Sequence, residues 1–205
     1  MSYGTLKTYE EVALKFEIQL HEKLFIQQKE MSVSQDITRL IQKNLQLRRN
    51  YISESAICET MISPILSVVA YENDLPLWSH VRFDVDEADG LMGIPDFLIA
   101  PASPIGTTFT HPIICVAEAK KENFNEGWAQ ALSEMVAAQR FNQNESLEIF
   151  GIVTTGSIWQ FASLQNKQLH MDVISYSALD NLQKVFNCLN WLFSTAKQNN
   201  LSIIN

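Results

Sequence analysis

The sequence has no apolar run approaching the ~20 residues that a membrane-spanning helix needs. Met1 to Lys15 mixes polar and apolar side chains without the apolar core of a signal peptide, so the expected location is the cytoplasm. Cysteine is scarce. Cys58, Cys115 and Cys188 are odd in number, far apart and set in or beside apolar residues, which argues for buried thiols and against a disulfide framework or a zinc site. Glycine patterns that cradle phosphates are missing: neither Gly-x-Gly-x-x-Gly nor Gly-Lys-Ser/Thr occurs, so a nucleotide-driven motor is not expected. No Gly-x-Ser-x-Gly elbow is present either. The histidines, His21, His80, His111 and His170, show no ligand spacing with one another or with cysteine and read as surface or structural residues. Basic residues are outnumbered 15 to 23 by acidic ones, and a net charge of −8 discourages a simple basic protein that coats nucleic acid.

What is present fits one folded unit. A chain of 205 residues, 46% hydrophobic and 19% charged, is neither disordered nor fibrous and matches a single compact domain with an extension. Charge is unevenly spread: residues 1–49 hold eight of the 15 basic and six of the 23 acidic residues, leaving the remainder strongly acidic. Arg39, Lys43, Arg48 and Arg49 fall within eleven residues of helix-like sequence, either a phosphate-facing patch or a solvated helix face.

From Tyr9 to about Asn50 there is no Pro or Gly, and apolar residues recur at helical spacing: Val12, Phe16, Leu20 and Leu24, then Ile37, Leu40, Ile41 and Leu45. This predicts two helices broken near Met31 to Ser34, forming an N-terminal helical extension over residues 1–50 ahead of a domain over 51–205. A third helix is expected from Ser53, its N-cap, to Ala70, with Pro64 as a possible kink. Strands are expected over 77–85, 94–100 and 112–119, then a helix over 125–142. Two further strands over 147–155 and 158–164 follow, with an edge strand over 168–175 and a closing helix over 178–197. The architecture expected is α/β, a mixed sheet with helices on its faces.

The chemistry concentrates in two of these strands. Ile94-Pro95-Asp96-Phe97-Leu98-Ile99 is apolar except for one carboxylate, which is costly to bury without a partner. The strand ending Val116-Ala117-Glu118-Ala119-Lys120 becomes charged only near its carboxyl end, and alternation puts Glu118 and Lys120 on one face. If the two strands are neighbours, Asp96 and Glu118 converge on a divalent cation, and oxygen ligands favour Mg²⁺ or Mn²⁺ over zinc. Lys120 would then stand beside the metal, where an ammonium can orient water or offset developing charge in phosphodiester hydrolysis. A structural Asp and a surface Glu–Lys pair form the plainer reading of the same residues.

Pro95-Asp96, followed after 22 residues by Glu118-Ala119-Lys120, resembles the signature of the PD-(D/E)xK nuclease superfamily. The resemblance spans about Ser53 to Ala196, and Ser53 to Leu66 with Gly151 to Gly156 is most similar to the nuclease domain of type I restriction enzyme R subunits. It implies a restriction-endonuclease-like fold and a Mg²⁺- or Mn²⁺-dependent nuclease with Asp96 and Glu118 as ligands and Lys120 as the water-assisting residue. The family often adds an acidic residue on the preceding helix. Of the two candidates, Glu54 lies close to the centre of the apolar stripe of Ile57, Cys58, Met61, Ile62, Ile65 and Val69 and is expected to face inward, as a metal ligand or at the helix dipole, whereas Glu59 lies away from it. Some members also carry a Gln on the helix after the Glu-x-Lys strand, and Gln130 matches that position, facing either the cleft or water. Lys121, on the other face from Lys120, reads as exposed. The resemblance also implies nucleic acid, most naturally DNA, as partner, reached through Arg39, Lys43, Arg48 and Arg49. A homodimer or a larger restriction or repair assembly would supply further surface. The alternative is the same fold kept as a catalytically silent interaction or assembly module.

Overall fold

The computed structural model describes Tyr3 and residues 5–201. A mixed central sheet is flanked by helices on both faces. Its strands are β1 (Gln19–Lys23), β2 (Leu77–Ser79), β5 (Phe97–Ile99), β6 (Cys115–Ala119), β7 (Ile149–Thr154), β8 (Ile158–Gln165), β9 (Gln168–Asp172) and the short β10 (Tyr176–Ser177), while β3 (Phe83–Asp86) and β4 (Leu91–Gly93) form a separate hairpin. The order is β1-β9-β8-β7-β6-β5-β2, with β10 pairing on β8. Only β6/β7 and β1/β9 run parallel; the other pairs are antiparallel.

Burial on both faces explains why the central strands read as continuous apolar runs. In β6, Cys115, Ala117 and Ala119 pack toward α2 (Gln35–Leu45), the helix over 54–72 and α6 (Ala178–Leu201). Val116 turns the other way with Leu98 and Val153, toward α1 (Tyr9–Phe16) and α5 (Phe124–Phe141). α5 lies so close that a Cβ on Gly151 of β7 would stand 2.6 Å from the Met135 sulfur.

The helix over 54–72 starts at Ser53, whose Oγ accepts from the Ala56 N–H at 3.1 Å. It runs as α3 (Glu54–Ile57), a π turn (Cys58–Ile62) and α4 (Ser63–Glu72). At the π turn the Ser63 N–H reaches back five residues to the Cys58 carbonyl. Pro64 has no N–H for the Thr60 carbonyl, which instead accepts from Asn44 Nδ2 of α2 at 2.9 Å. A lost intrahelical bond is thus replaced by one between helices.

The N-terminal segment departs from the two predicted helices. α1 and α2 form, but Leu20 and Leu24 leave no buried stripe, being 40% and 65% exposed, and residues 19–23 become β1. The gain there is in backbone pairing: β1 satisfies the outer edge of β9, in parallel register from Gln19↔Gln168 to Lys23↔Asp172. Consequently β9 is an interior strand and β1 the edge. Val12 and Phe16 of α1 join the apolar layer under α5, so these first residues are woven into the sheet and its covering helices. Among the described residues no helix is long and apolar enough to cross a membrane.

Candidate active site

Antiparallel pairing of β5 and β6 aligns Phe97 with Ala117, so one step outward Asp96 stands opposite Glu118. The pair is locked by the backbone. The Asp96 N–H donates to Glu118 Oε1 at 3.4 Å, and the Ala119 N–H donates to Asp96 Oδ2 at 2.8 Å. Glu118 is 3% exposed, whereas the Asp96 side chain is partly open, with Oδ1 directed away from the bonds that hold Oδ2. The two strands are therefore neighbours, with Asp96 and Glu118 side by side at their end.

Lys120 follows on the same face as Glu118. Its N–H continues the ladder to the Thr154 carbonyl at 2.9 Å, and its ammonium lies 3.8 Å from Glu118 Oε2 and 3.8 Å from Glu54 Oε1. The stem is buried under α5: a Cβ on Gly127 would stand 2.9 Å from Lys120 Cγ and 2.6 Å from Val153 Cγ1. Only a glycine lets the helix press on the lysine at that distance. Glu54 reaches Lys120 from the first turn of α3 but is half-exposed. Its place at the apolar stripe's centre brings it to the site without burying it. Glu59 and Lys121 are exposed, as the sequence suggests.

A residue that the sequence does not single out, Glu134 of α5, lies behind Glu118. It is buried, its carboxyl interacts with that of Glu118, and its Oε2 has no hydrogen-bond partner. Burial pushes Glu118 up to about 7, with the Asp96 charge adding to the effect. Glu134 is held well above the usual carboxylate range, first by burial and then by the Glu118 charge. A signal existed: Gly127, Ala129, Ala131, Ala137 and Ala138 mark α5 as a helix covered on nearly every side, where a glutamate is out of place. Gln130, half-buried, is one turn before Glu134 on the same side of α5.

Two residues with no sequence signal also sit here. Cys58, the first residue of the π turn, is buried, and burial together with the charges of Asp96, Glu118 and Glu54 pushes its thiol up to about 12. His80, just beyond β2, places Nε2 3.3 Å from Asp96 Oδ1. Cys58, His80 and Asp96 each offer one ligand atom, all within 4.8 Å of one another, and the group could hold a metal ion. Ligand spacing in the sequence could not show this, because three separate elements supply the atoms.

The arrangement is rich in negative charge. Glu118 and Glu54 face the Lys120 ammonium, and Asp96, with its Oδ1 3.3 Å from His80 Nε2, stands beside Glu118. Arg39, Lys43, Arg48 and Arg49 are all exposed. Arg39 pairs with Asp36 on its own helix at 3.7 Å, while Arg48 and Arg49 lie on a 3₁₀ turn (Arg48–Tyr51) that leads into α3 and Glu54. Comparison of the chain with family models gives no match, and comparison with curated proteins gives none either.

Proposed function

We propose that the chain is a Mg²⁺- or Mn²⁺-dependent nuclease with a restriction-endonuclease-like fold, resembling the nuclease domain of type I restriction subunits. One observation carries the reading: a nearly buried lysine ammonium held between two carboxylates, Glu118 and Glu54, beside the locked Asp96–Glu118 pair. A purely structural domain has little use for that concentration of charge at the end of an apolar sheet.

In this reading Asp96 and Glu118 hold the cation, with Glu54 completing the acidic set. Such a cation supplies Lewis-acid activation of a phosphoryl oxygen and a bound water of lowered pKa. Lys120, fixed by Gly127 and the two carboxylates, orients the attacking water and offsets charge that develops on the phosphate. Glu134 holds Glu118 in place, and Gln130 borders the same side of α5. DNA is the preferred substrate, drawn by the exposed Arg39, Lys43, Arg48 and Arg49 against an otherwise acidic chain, on a homodimer or within a larger assembly.

The test is Mn²⁺ calorimetry with cleavage of a mixed DNA and RNA panel, on wild type, Asp96→Ala and Lys120→Met. Cleavage that needs both residues, with metal binding lost only in Asp96→Ala, is the expected result. Absence of both binding and cleavage at millimolar metal would favour the silent assembly module instead.

A further inference from the structure

We infer that Cys58, His80 and Asp96 form a binding site for a borderline-soft divalent cation of the zinc class, which competes with the oxygen-ligand site for Oδ1 of Asp96. The ligand chemistry differs from that of the Asp96–Glu118 pair. A thiolate, an imidazole and one carboxylate oxygen are the donors that zinc and cobalt prefer, while Mg²⁺ avoids sulfur and nitrogen.

Geometry supports the set. Donor atoms around a tetrahedral zinc stand roughly 3.3–3.9 Å apart, so atoms already within 4.8 Å of one another need to close by about 1.5 Å at most. His80 is best placed to make that movement, since its side chain is half-exposed while Cys58 is packed in the π turn. Its ring is also prepared. Ser79 Oγ lies 2.8 Å from Nδ1, an outer partner of the kind that fixes a metal-bound histidine and leaves Nε2 for the ligand side. The His80 backbone has φ 52°, an uncommon region for a residue with a side chain, and its N–H is tied to the Asp96 carbonyl at 3.0 Å.

Competition follows from Asp96. Its Oδ2 is committed to the Ala119 N–H, so Oδ1 is the oxygen that either cation must take. When the soft cation binds, the Cys58 thiol proton leaves to solvent, the thiolate and imidazole complete three protein ligands, and water takes the fourth place. Binding stands on the geometry alone. Its consequence, that zinc blocks magnesium-supported cleavage, rests on the nuclease reading.

Cobalt(II) titration of the full chain reads the site directly, because a thiolate ligand gives a near-ultraviolet charge-transfer band that oxygen ligands do not. Wild type should show the band, zinc should abolish it, and millimolar Mg²⁺ should shift the titration to higher cobalt concentration. Cys58→Ser should lose the band, and the half-exposed His80→Gln, which leaves the core untouched, should weaken cobalt binding about tenfold or more. No thiolate band in the wild type, or a band unaltered in both variants, overturns the site. In parallel, the zinc concentration that halves Mg²⁺-supported cleavage should rise about tenfold in His80→Gln. A band without cleavage under any metal leaves this site standing and removes the nuclease reading; cleavage without the band does the reverse.

Discussion

Glu134 of α5 lies against Glu118 of β6, both carboxyls withdrawn from water and each raised by burial and by the charge of its neighbours. Both groups are raised above their ordinary value of 4.5, so each contributes stability that is fully present below that value and is lost as pH rises, for Glu118 through about 7. Glu134→Gln keeps a donor for Glu118 and removes one titration. Urea midpoints in EDTA should therefore show the wild type losing, relative to this variant, on the order of 1–3 kcal/mol between pH 5 and pH 8. Parallel pH profiles would show that the Glu134 titration is not linked to stability.

Lys120→Met separates positioning of the cation from chemistry. Its ammonium pairs with Glu118 and Glu54 but is not itself a ligand in the proposed site, so Mn²⁺ binding should persist while cleavage falls about 10²–10³-fold. Asp96→Asn should instead lose metal affinity first, with cleavage following it, as read by calorimetry and by cleavage at saturating metal.

How much of this was legible depends on whether a residue's neighbours lie in the same element. Asp96 stood out because an apolar strand exposed its single charge, and the Glu118/Lys120 alternation placed both on one face. The central strands were legible because burial on both faces wrote continuous apolar runs into the sequence. β1 was not: Gln-Leu-His-Glu-Lys is exposed along its length, and its strand conformation comes from pairing with β9, information held elsewhere in the chain. Cys58 and His80 look ordinary alone and gain meaning only when the π turn and the β2 end meet Asp96. Glu134 was hidden because the polar face of an amphipathic helix is ordinarily wet, whereas hairpin, sheet and α1 together leave α5 almost no such face.

Gly127→Ala should show that the helix-to-strand approach seats the lysine. The added methyl meets Val153 at 2.6 Å and Lys120 at 2.9 Å, so either α5 shifts or Lys120 swings away. Overpacking of this kind costs about 1–3 kcal/mol in a denaturant titration. If Lys120 is the group that yields, cleavage by the folded variant should drop further than its stability loss explains.

Neutralising Arg39, Lys43, Arg48 and Arg49 to alanine should weaken DNA binding and flatten its salt dependence by about 0.9 in log–log slope for each phosphate no longer neutralised. Folding stability should stay within about 0.5 kcal/mol, since all four are exposed and the ion pair of Arg39 with Asp36 lies at the surface. An unchanged slope would take these residues out of the nucleic-acid surface.

The parallel pairing of β1 with β9 joins Gln19 to Gln168 across most of the chain. During synthesis β1 leaves the ribosome long before its partner exists. The nascent chain must therefore carry β1 unpaired until β9 emerges, and loop closure over that distance is among the slower steps a chain can take. Residues 19–23 are mostly polar or charged, which suits a segment that waits in water. A late-made strand thus completes the sheet beside an early one.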